Sequence, residues 1–398
     1  MQNDPVHQRI DASLKQLSET HRVRERRCSN AVSTTEYMLD GRPCVSFATN
    51  DYLGLTRHPK VLQAFATAAA EQYGAGASAL IAGRSSLHEQ LEKTLASFES
   101  TESAVLFPSG FAANYGTLTS LVRSQDAVFC DRENHASLID GCRASAGKFF
   151  VYDRSELDSL HEAIGRRRRD FEAIFIVTDS VFSMDGTLAD LPRLCDLAEA
   201  HNGTVVVDEA HATGVFGDSG HGVCEMQQVE TRVAVRIGTL SKAIGGLGGF
   251  VAGTRPLCDW LWNTARSQFF STALPPAVCA AAIASLHVIQ EEPERRQRLM
   301  ARAVLTRQLI SEAGLKTIFD QVSPPFSPIV AIALGDDERA VRVSRRMLDA
   351  GYFLPAVRPP TVVVGTARLR MSVCCDHSEE QIRAAVYQLR DVLKTERS

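Results

Sequence analysis

The sequence lacks the features that mark several large classes of protein. No apolar run approaches the length of a membrane span, and residues 1–30 contain no apolar core of a secretory signal. The ten cysteines include no CxxC pair, so neither a zinc site nor a disulfide framework is indicated. We therefore expect a protein of the reducing cytoplasm, without a metal and without a membrane partner.

An excess of positive charge is also absent. The net charge is −4 over 398 residues, and the arginine run at 166–169 is the one dense basic patch. We interpret that run as the solvated edge of a helix. Because proteins that bind nucleic acid generally carry a basic surface, we expect no nucleic-acid partner.

Two nucleotide-binding motifs are present only in incomplete form. "DEAH" at 208–211 is a helicase signature, but the only Gly-Lys pair is followed by Phe149 instead of the Ser or Thr of a phosphate loop. "GAGASA" at 74–79 follows a helix-like stretch and not a strand, and "GLGGFV" at 246–251 lacks its third glycine. These departures argue against an ATPase and against a nicotinamide enzyme.

Short β-branched or aromatic runs alternate with amphipathic stretches through the middle of the chain. The runs lie at 104–108, 126–130, 148–152, 173–180 and 203–210. This alternation predicts an α/β fold with a mostly parallel central sheet and helices on both faces.

Further along the chain, a long charged helix introduces a C-terminal α+β domain. We therefore divide the chain into an N-terminal helical segment at 1–45, a large domain at 46–285 and a small domain at 286–398.

Chemistry-bearing residues follow the predicted strands, where ligands of parallel sheets gather. Asp208 and His211 follow "VVV", His135 follows "DAVFC", and Ser183 follows "AIFIVTDS". Each has an ordinary alternative: the aspartate could cap a helix, and each histidine could be a half-buried structural residue. Only the ordered set of these residues therefore points to a ligand site.

Lys242 lies between a short strand signal and a glycine cluster in "GTLSKAIGGLGGF". Such a lysine can form a Schiff base with an aldehyde, and Asp208 can hold a pyridine nitrogen in its protonated form. "FPSGFAAN" begins a helix whose N–H groups at Gly110 and Phe111 can bind a phosphate. Together these residues fit pyridoxal 5′-phosphate (PLP).

The ordered motifs "NDYLGL", "GFAAN", "NHASL", "VFSMDG", "DEAHATG" and "TLSKAIGG" cover nearly the whole chain. With them the sequence resembles the α-oxoamine synthases, fold-type I PLP enzymes that join an amino acid to an acyl thioester with loss of CO2. "VRPPTVVVGTARLR" is most similar to the members that condense L-alanine with a pimeloyl thioester in biotin biosynthesis. The resemblance also implies a homodimer, and it leaves coenzyme A and acyl carrier protein open as the acyl carrier.

The resemblance implies a role for each site residue. Lys242 forms the Schiff base, Asp208 contacts the pyridine nitrogen, His211 faces the phenolic oxygen and His135 stacks on the ring. The other implied contacts are Ser183 near the ring; Gly110, Phe111 and Thr239 at the phosphate, with Ser271 and Thr272 from a neighbouring subunit; and Asn50, Arg358 and Arg370 at the substrate.

Several alternatives stay open at this point. The fold would also suit a relative that uses glycine or serine, an aminotransferase, or a non-catalytic binding subunit. Residues 76–80 read "GASAL" where the family often has an arginine, and Val363 replaces a usual proline, so the acyl donor could differ. Arg368 and Arg370 share one face of a predicted strand, and both could be solvated.

Overall fold

The computed structural model describes residues 4–319 and 326–396. Its strands are β1 (Ser29–Ala31), β2 (Glu36–Leu39), β3 (Arg42–Ser46), β4 (Ser103–Phe107), β5 (Ala127–Asp131), β6 (Lys148–Tyr152), β7 (Ile174–Asp179), β8 (Thr204–Asp208), β9 (Val235–Thr239), β10 (Gly249–Gly253), β11 (Ile329–Gly335), β12 (Tyr352–Phe353), β13 (Ala356–Val357) and β14 (Ala367–Ser372).

The α-helices are α1 (Pro5–Glu19), α2 (Pro59–Ala69), α3 (Ser86–Phe98), α4 (Gly110–Leu121), α5 (Ala136–Ala144), α6 (Leu157–Arg167), α7 (Leu191–Ala200), α8 (Val223–Met226), α9 (Arg255–Thr264), α10 (Arg266–Phe269), α11 (Pro276–Glu291), α12 (Glu294–Glu312), α13 (Asp337–Asp349) and α14 (Glu379–Lys394). None of the helices formed by the described residues is long and apolar enough to cross a membrane.

The described residues form two compact units. The large unit comprises Asn50–Ser183 and Thr187–Gln297, and the small unit comprises the described residues up to Thr49, Met184–Gly186 and those from Arg298 onwards. Residues 4–45 thus belong to the same unit as the described C-terminal residues. The domain boundaries expected at 45 and 285 stay a prediction.

The large unit contains a seven-stranded sheet in the order β4-β10-β9-β8-β7-β5-β6. Strands β5 to β9 run parallel to their neighbours in that group, which confirms the predicted α/β fold with a mostly parallel sheet. Strand β10 is antiparallel to both β9 and β4. It follows β9 after a short glycine-rich turn, and so short a connection permits only an antiparallel return.

The core of the large unit packs sheet residues against helices α4, α5 and α9. Val128, Val177, Val206 and Ile237 are buried in this core, together with Leu118 from α4. The uninterrupted apolar character of these strands follows from their burial between layers of helices. The sheet is thereby a rigid frame that fixes the positions of the residues at its strand ends.

The small unit corrects one expectation about the N-terminal segment. Among the described residues 4–45, helix α1 covers Pro5–Glu19, and β1, β2 and β3 form a sheet with β12, so the expected helical character does not extend to residues 29–45. Asp40 and Gly41 both adopt positive φ angles, of 51° and 80°, in the turn between β2 and β3. Asp-Gly between alternating apolar residues is a strong hairpin signal, and it outweighs the helix-forming tendency of the polar residues nearby.

Candidate active site

Asp208 ends strand β8 and is almost fully buried. Its Oδ2 accepts a 2.6 Å hydrogen bond from Asn114 Nδ2, and its Oδ1 accepts a 2.7 Å bond from the N–H of Ala210. A buried carboxylate requires such donors, and it retains capacity for another because each oxygen has two lone pairs. Asp208 is therefore held in a fixed orientation and can accept a further hydrogen bond.

A second carboxylate lies beside Asp208. Asp179 ends the neighbouring strand β7, and the two aspartates are paired in register. Burial raises the pKa of Asp179 well above its ordinary value, and the charge of Asp208 raises it further. Asp179 Oδ2 accepts a 2.6 Å bond from the N–H of His135, so this second carboxylate fixes the backbone from which the histidine projects.

His135 is connected to Asp208 through two polar side chains. His135 Nδ1 lies 2.7 Å from Ser137 Oγ, and Ser137 Oγ accepts a 2.8 Å bond from Asn114 Nδ2, the same nitrogen that binds Asp208. Partial desolvation lowers the pKa of His135; the charge of Asp208 opposes this effect, and that of Lys242 adds to it. The imidazole is therefore biased towards its neutral form.

His211 is buried one turn beyond Asp208. Its Nδ1 lies 2.7 Å from the hydroxyl of Tyr52, which in turn is 3.3 Å from Oδ1 of Asn50. Fixing one ring nitrogen sets the plane of the imidazole.

Lys242 follows strand β9 in a tight turn. Its carbonyl accepts a 2.8 Å bond from the N–H of Gly245, which has a φ of +76°. A Cβ at Gly245 would lie 2.9 Å from the backbone nitrogen of Thr56, so the turn requires glycine. The charge of the half-buried lysine lowers the pKa of both His135 and Asp179, so the lysine lies within electrostatic range of these two residues.

The start of helix α4 lies against Thr239. Ser109 caps the helix by accepting a 3.1 Å bond from the N–H of Ala112. A Cβ at Gly110 would lie 3.2 Å from Thr239 Oγ1, so the first turn and this hydroxyl are adjacent. First-turn N–H groups lack partners within a helix, and together with a hydroxyl they suit a phosphate.

These features match the chemical groups of PLP. The buried carboxylate of Asp208 suits a protonated pyridine nitrogen, Lys242 suits the aldehyde, and the Gly110–Thr239 contact suits the phosphate. The large unit thus brings together Lys242, Asp208, His135, His211, Asn50, Gly110 and Thr239.

The remaining expected residues of the large unit are Phe111, which follows Gly110 in the first turn of α4, Ser183, and Ser271 and Thr272 in the segment after α10. Phe111 is 48% exposed, and Ser183 is half-buried beyond the end of β7. Thr272 forms an isolated bridge with Ser78, and the N–H of the next residue, Ala273, donates to the carbonyl of Ala77. The segment that follows α10 is therefore fixed against residues 77–78 of its own chain.

The two expected substrate arginines belong to the small unit. Arg358 donates from its guanidinium to the backbone carbonyls of His21 and Val23. Arg370 lies in β14 and is only 7% exposed, so the alternative of a solvated arginine is wrong. Every residue of β14 is buried, including Arg368, whose Nε donates to the carbonyl of Thr366 at 3.0 Å.

Comparison with known proteins gives the family. The family model "Aminotransferase class I and II" matches residues 42–389. The chain belongs to this family. Within it, the chain is 37% identical to 8-amino-7-oxononanoate synthase of Lysinibacillus sphaericus, over 98% of this chain and 99% of that protein. It is 41% identical to the enzyme of the same name from Geobacter sulfurreducens, over 95% and 96% of the two chains.

Solved structures of two related enzymes have the same fold as this chain. Serine palmitoyltransferase of Sphingomonas wittichii superposes with a TM-score of 0.91 at 29% identity, covering 98% of this chain and 97% of that chain. The 8-amino-7-oxononanoate synthase of Francisella tularensis gives a TM-score of 0.76 at 28% identity, over 89% and 99%. The fold-type I assignment, the α-oxoamine synthase resemblance and PLP as the cofactor are thereby confirmed.

Sequence reasoning overlooked four polar residues of this site: Asn114, Ser137, Asp179 and Tyr52. A signal existed for each of them. Asn114 lies four residues after Gly110 and hence on the same side of helix α4. Asp179 ends a predicted strand as Asp208 does, and Tyr52 lies inside "NDYLGL". Ser137 lies inside "NHASL", but its role depends on a contact with Asn114, 23 residues away, that only the fold creates.

Proposed function

We propose that this protein is a PLP-dependent acyltransferase that condenses L-alanine with a pimeloyl thioester. The products are 8-amino-7-oxononanoate, CO2 and a free thiol, a reaction of biotin biosynthesis. Near-full-length relatives that carry this enzyme's name support the assignment. The observation that carries it is the chain of hydrogen bonds from Asp208 through Asn114 and Ser137 to His135, with Lys242 beside it.

Bound PLP supplies an electron sink for the pair of electrons released at the α-carbon of the amino acid. Lys242 would hold the cofactor covalently and, once released, its amine would move the proton at that carbon. Asp208 would keep the pyridine nitrogen protonated, and the hydrogen bond from Asn114 fixes the orientation of the carboxylate for this role. His135 would cover the ring, and His211 would bind the phenolic oxygen and polarise the incoming carbonyl.

The phosphate contacts extend this proposal to a homodimer. Gly110, Phe111 and Thr239 bind the phosphate within one subunit, and Ser271 and Thr272 reach it from the second. Large apolar side chains that a single chain leaves exposed support a partner: Tyr73 is 95% exposed, Ile81 78% and Phe270 68%.

The remaining assignments concern the substrates. Arg370 holds the carboxylate of alanine, because a guanidinium binds carboxylate through two parallel hydrogen bonds. Asn50 and Arg358 contact the substrates, and Ser183 lies near the ring. The acyl carrier is coenzyme A or acyl carrier protein, and the enzyme acts in the cytoplasm.

A thiol-release assay tests the function. Purified enzyme is mixed with alanine, glycine or serine and with pimeloyl-coenzyme A, pimeloyl acyl carrier protein or palmitoyl-coenzyme A, and free thiol and CO2 are measured. We expect both products with alanine and a pimeloyl donor. Preference for serine and palmitoyl-coenzyme A would instead match the serine palmitoyltransferase structures. Conversion of alanine to pyruvate without a thioester would indicate an aminotransferase.

Subunit mixing tests the shared site. If Thr272 serves the partner subunit, a mixed dimer of Lys242→Ala and Thr272→Ala has both defects in one site and leaves the other site intact. Mixing the two inactive proteins under subunit exchange should then restore part of the activity. If Thr272 serves its own subunit, every site of the mixed dimer that carries wild-type Lys242 still lacks the threonine, and no activity returns.

A further inference from the structure

We propose that Glu209 is a positioning residue that fixes Asp208 and His211 in the reacting geometry, an inference that rests on the proposed function. Glu209 directly follows Asp208 and is 1% exposed. Its Oε2 accepts bonds of 2.6 Å from Ser180 Oγ and 3.1 Å from the N–H of Val223, and its Oε1 accepts a 2.7 Å bond from the N–H of Cys224. Those donors belong to two segments distant in sequence.

Ser180 connects this carboxylate to Asp208. The N–H of Ser180 donates to the carbonyl of Asp208 at 2.9 Å, and its hydroxyl lies 3.0 Å from the same carbonyl oxygen. The Glu209 carboxylate, by accepting from that hydroxyl, fixes the end of β7 against the end of β8. Movement of Glu209 would therefore move the peptide that carries the Asp208 side chain.

The backbone of Glu209 makes the same connection to the neighbouring elements. Its carbonyl accepts bonds of 2.8 Å from the N–H groups of Ala212 and Thr213, which form the turn that carries His211. Its N–H donates 2.7 Å to the carbonyl of Ile237 in β9, the strand that leads to Lys242. Side chain and backbone together join the segments that carry the three reacting groups.

Gly222 packs directly against the carboxyl group of Glu209. Gly222 adopts a φ of +123°, and a Cβ there would lie 2.7 Å from Cδ of Glu209 and 2.8 Å from Oε2. A side chain at position 222 would displace the carboxylate. The glycine is therefore required by a close approach to Glu209, and not only by its backbone conformation.

The variant Glu209→Gln removes hydrogen bonds of the carboxylate without changing the volume of the side chain. The amide keeps the size of the side chain, but its NH2 group must face either the N–H of Cys224 or the N–H of Val223, and neither can accept a hydrogen bond. Glu99→Gln is a matched control: Glu99 is also 1% exposed, but its carboxylate binds Arg236 and makes no bond to the end of β8.

We expect Glu209→Gln to raise the dissociation constant for PLP and to lower kcat, each by about 10- to 100-fold, as for other groups that orient a reacting residue. The pH dependence of the visible absorption of bound PLP should shift as well, because Asp208 no longer holds one orientation. Glu99→Gln should lower thermal stability and leave PLP affinity and the absorption profile unchanged.

Ser180→Ala is the second variant, in case Glu209→Gln does not fold. It removes the hydroxyl that joins Glu209 to Asp208 and should reproduce the spectral shift in weaker form. Normal PLP affinity, kcat and spectrum in the folded variants would overturn the positioning role. A wild-type protein that binds no PLP would instead overturn the proposed function, and this inference with it.

Discussion

The two units place their charged residues in different parts of their strands. In the large unit, β5, β7 and β8 are free of charge until their last residue, which is Asp131, Asp179 or Asp208 respectively. In the small unit, β14 has Arg368 and Arg370 within the strand. The large sheet also holds a charge within a strand, Arg236 of β9, whose guanidinium is paired with the buried carboxylate of Glu99. A parallel strand covered on both faces therefore accommodates a charge at its end or with a buried partner, whereas an antiparallel strand can direct alternate residues to one face.

This contrast between strand-end carboxylates and arginines within a strand indicates where each can contact a ligand. Groups at strand ends converge at one edge of the large sheet, where donors such as Asn114 and Ala210 can satisfy them. The arginines of β14 lie within a strand whose backbone is paired with β11, and Arg370 is opposite Ala331 in that pair. The strand pairing thereby fixes the backbone of each arginine. The predictions below test this division of roles.

Lys242→Ala should have the largest effect. It removes the covalent attachment of PLP and the amine that moves the α-proton, so turnover should fall by about 10⁴-fold. Borohydride treatment of the wild type should remove the visible absorption of bound PLP and label this lysine. Lys148→Ala, an exposed lysine at the start of β6, is the control and should behave as wild type. A label on any lysine other than Lys242 would refute the assignment.

Asp208→Asn should be next, with alanine turnover lowered by about 10²- to 10³-fold, as when a preorganised electrostatic partner is lost. A neutral amide cannot hold the pyridine nitrogen protonated. Solvent deuterium exchange at the α-carbon of alanine measures the affected step directly. Asp131→Asn changes another buried aspartate at a strand end and should leave exchange intact. Equal losses in both variants would show that strand-end burial, and not contact with the cofactor, sets the effect.

Much of this large-unit site was predictable because its signals are local. Residues such as Asp208 and Lys242 directly follow recognisable strands, and their order matches a family. The bonds from Asn114 to Asp208 and from Asp179 to His135 join residues 94 and 44 positions apart. No local pattern encodes such distances. The antiparallel β10 was overlooked for a related reason, since pairing partners are selected by the whole sheet.

The small unit was less predictable. The polar residues of segment 1–45 predict a helical segment, whereas the structure has the hairpin of β2 and β3 there. The Asp-Gly turn of that hairpin is visible in the sequence. The period-2 pattern of β14 correctly placed Arg368 and Arg370 on one face. It gave no indication that this face is also buried, because the burial of a strand depends on which elements cover the sheet.

Arg370→Lys tests the role of this buried face in substrate binding. Lysine keeps the charge but cannot bind a carboxylate with a planar fork, so the free energy of alanine binding should weaken by about 1–3 kcal/mol. Loss of the α-proton should also slow, while PLP content stays unchanged. Arg368→Lys is the matched control, because that guanidinium donates to Thr366. An unaltered alanine affinity in Arg370→Lys, with a weakened one in Arg368→Lys, would reverse the assignment of the two arginines.

The smallest expected effect concerns stability, and it lies in the small unit. His377 is 1% exposed and stacks on Phe47, with ring centroids 4.3 Å apart. Its Nδ1 accepts a 2.9 Å bond from the N–H of Cys374, and its Nε2 lies 3.2 Å from the carbonyl of Ser46. These contacts suit a neutral ring with its proton on Nε2. Burial lowers the pKa of His377 to about 4.

The lowered pKa fixes the sign of the pH dependence. Between pH 6.5 and 4 the unfolded chain binds a proton at this histidine and the folded chain does not, so stability falls as the pH falls. From pH 7 to pH 5 this histidine should remove about 2 kcal/mol from the free energy of unfolding. His377→Gln should lose that component, whereas His161→Gln, at an exposed position, should retain the wild-type dependence. Denaturant unfolding of the three proteins at both pH values provides the measurement. Identical pH dependence in His377→Gln and wild type would mean that the histidine binds protons equally in the folded and unfolded states, which would overturn the lowered pKa.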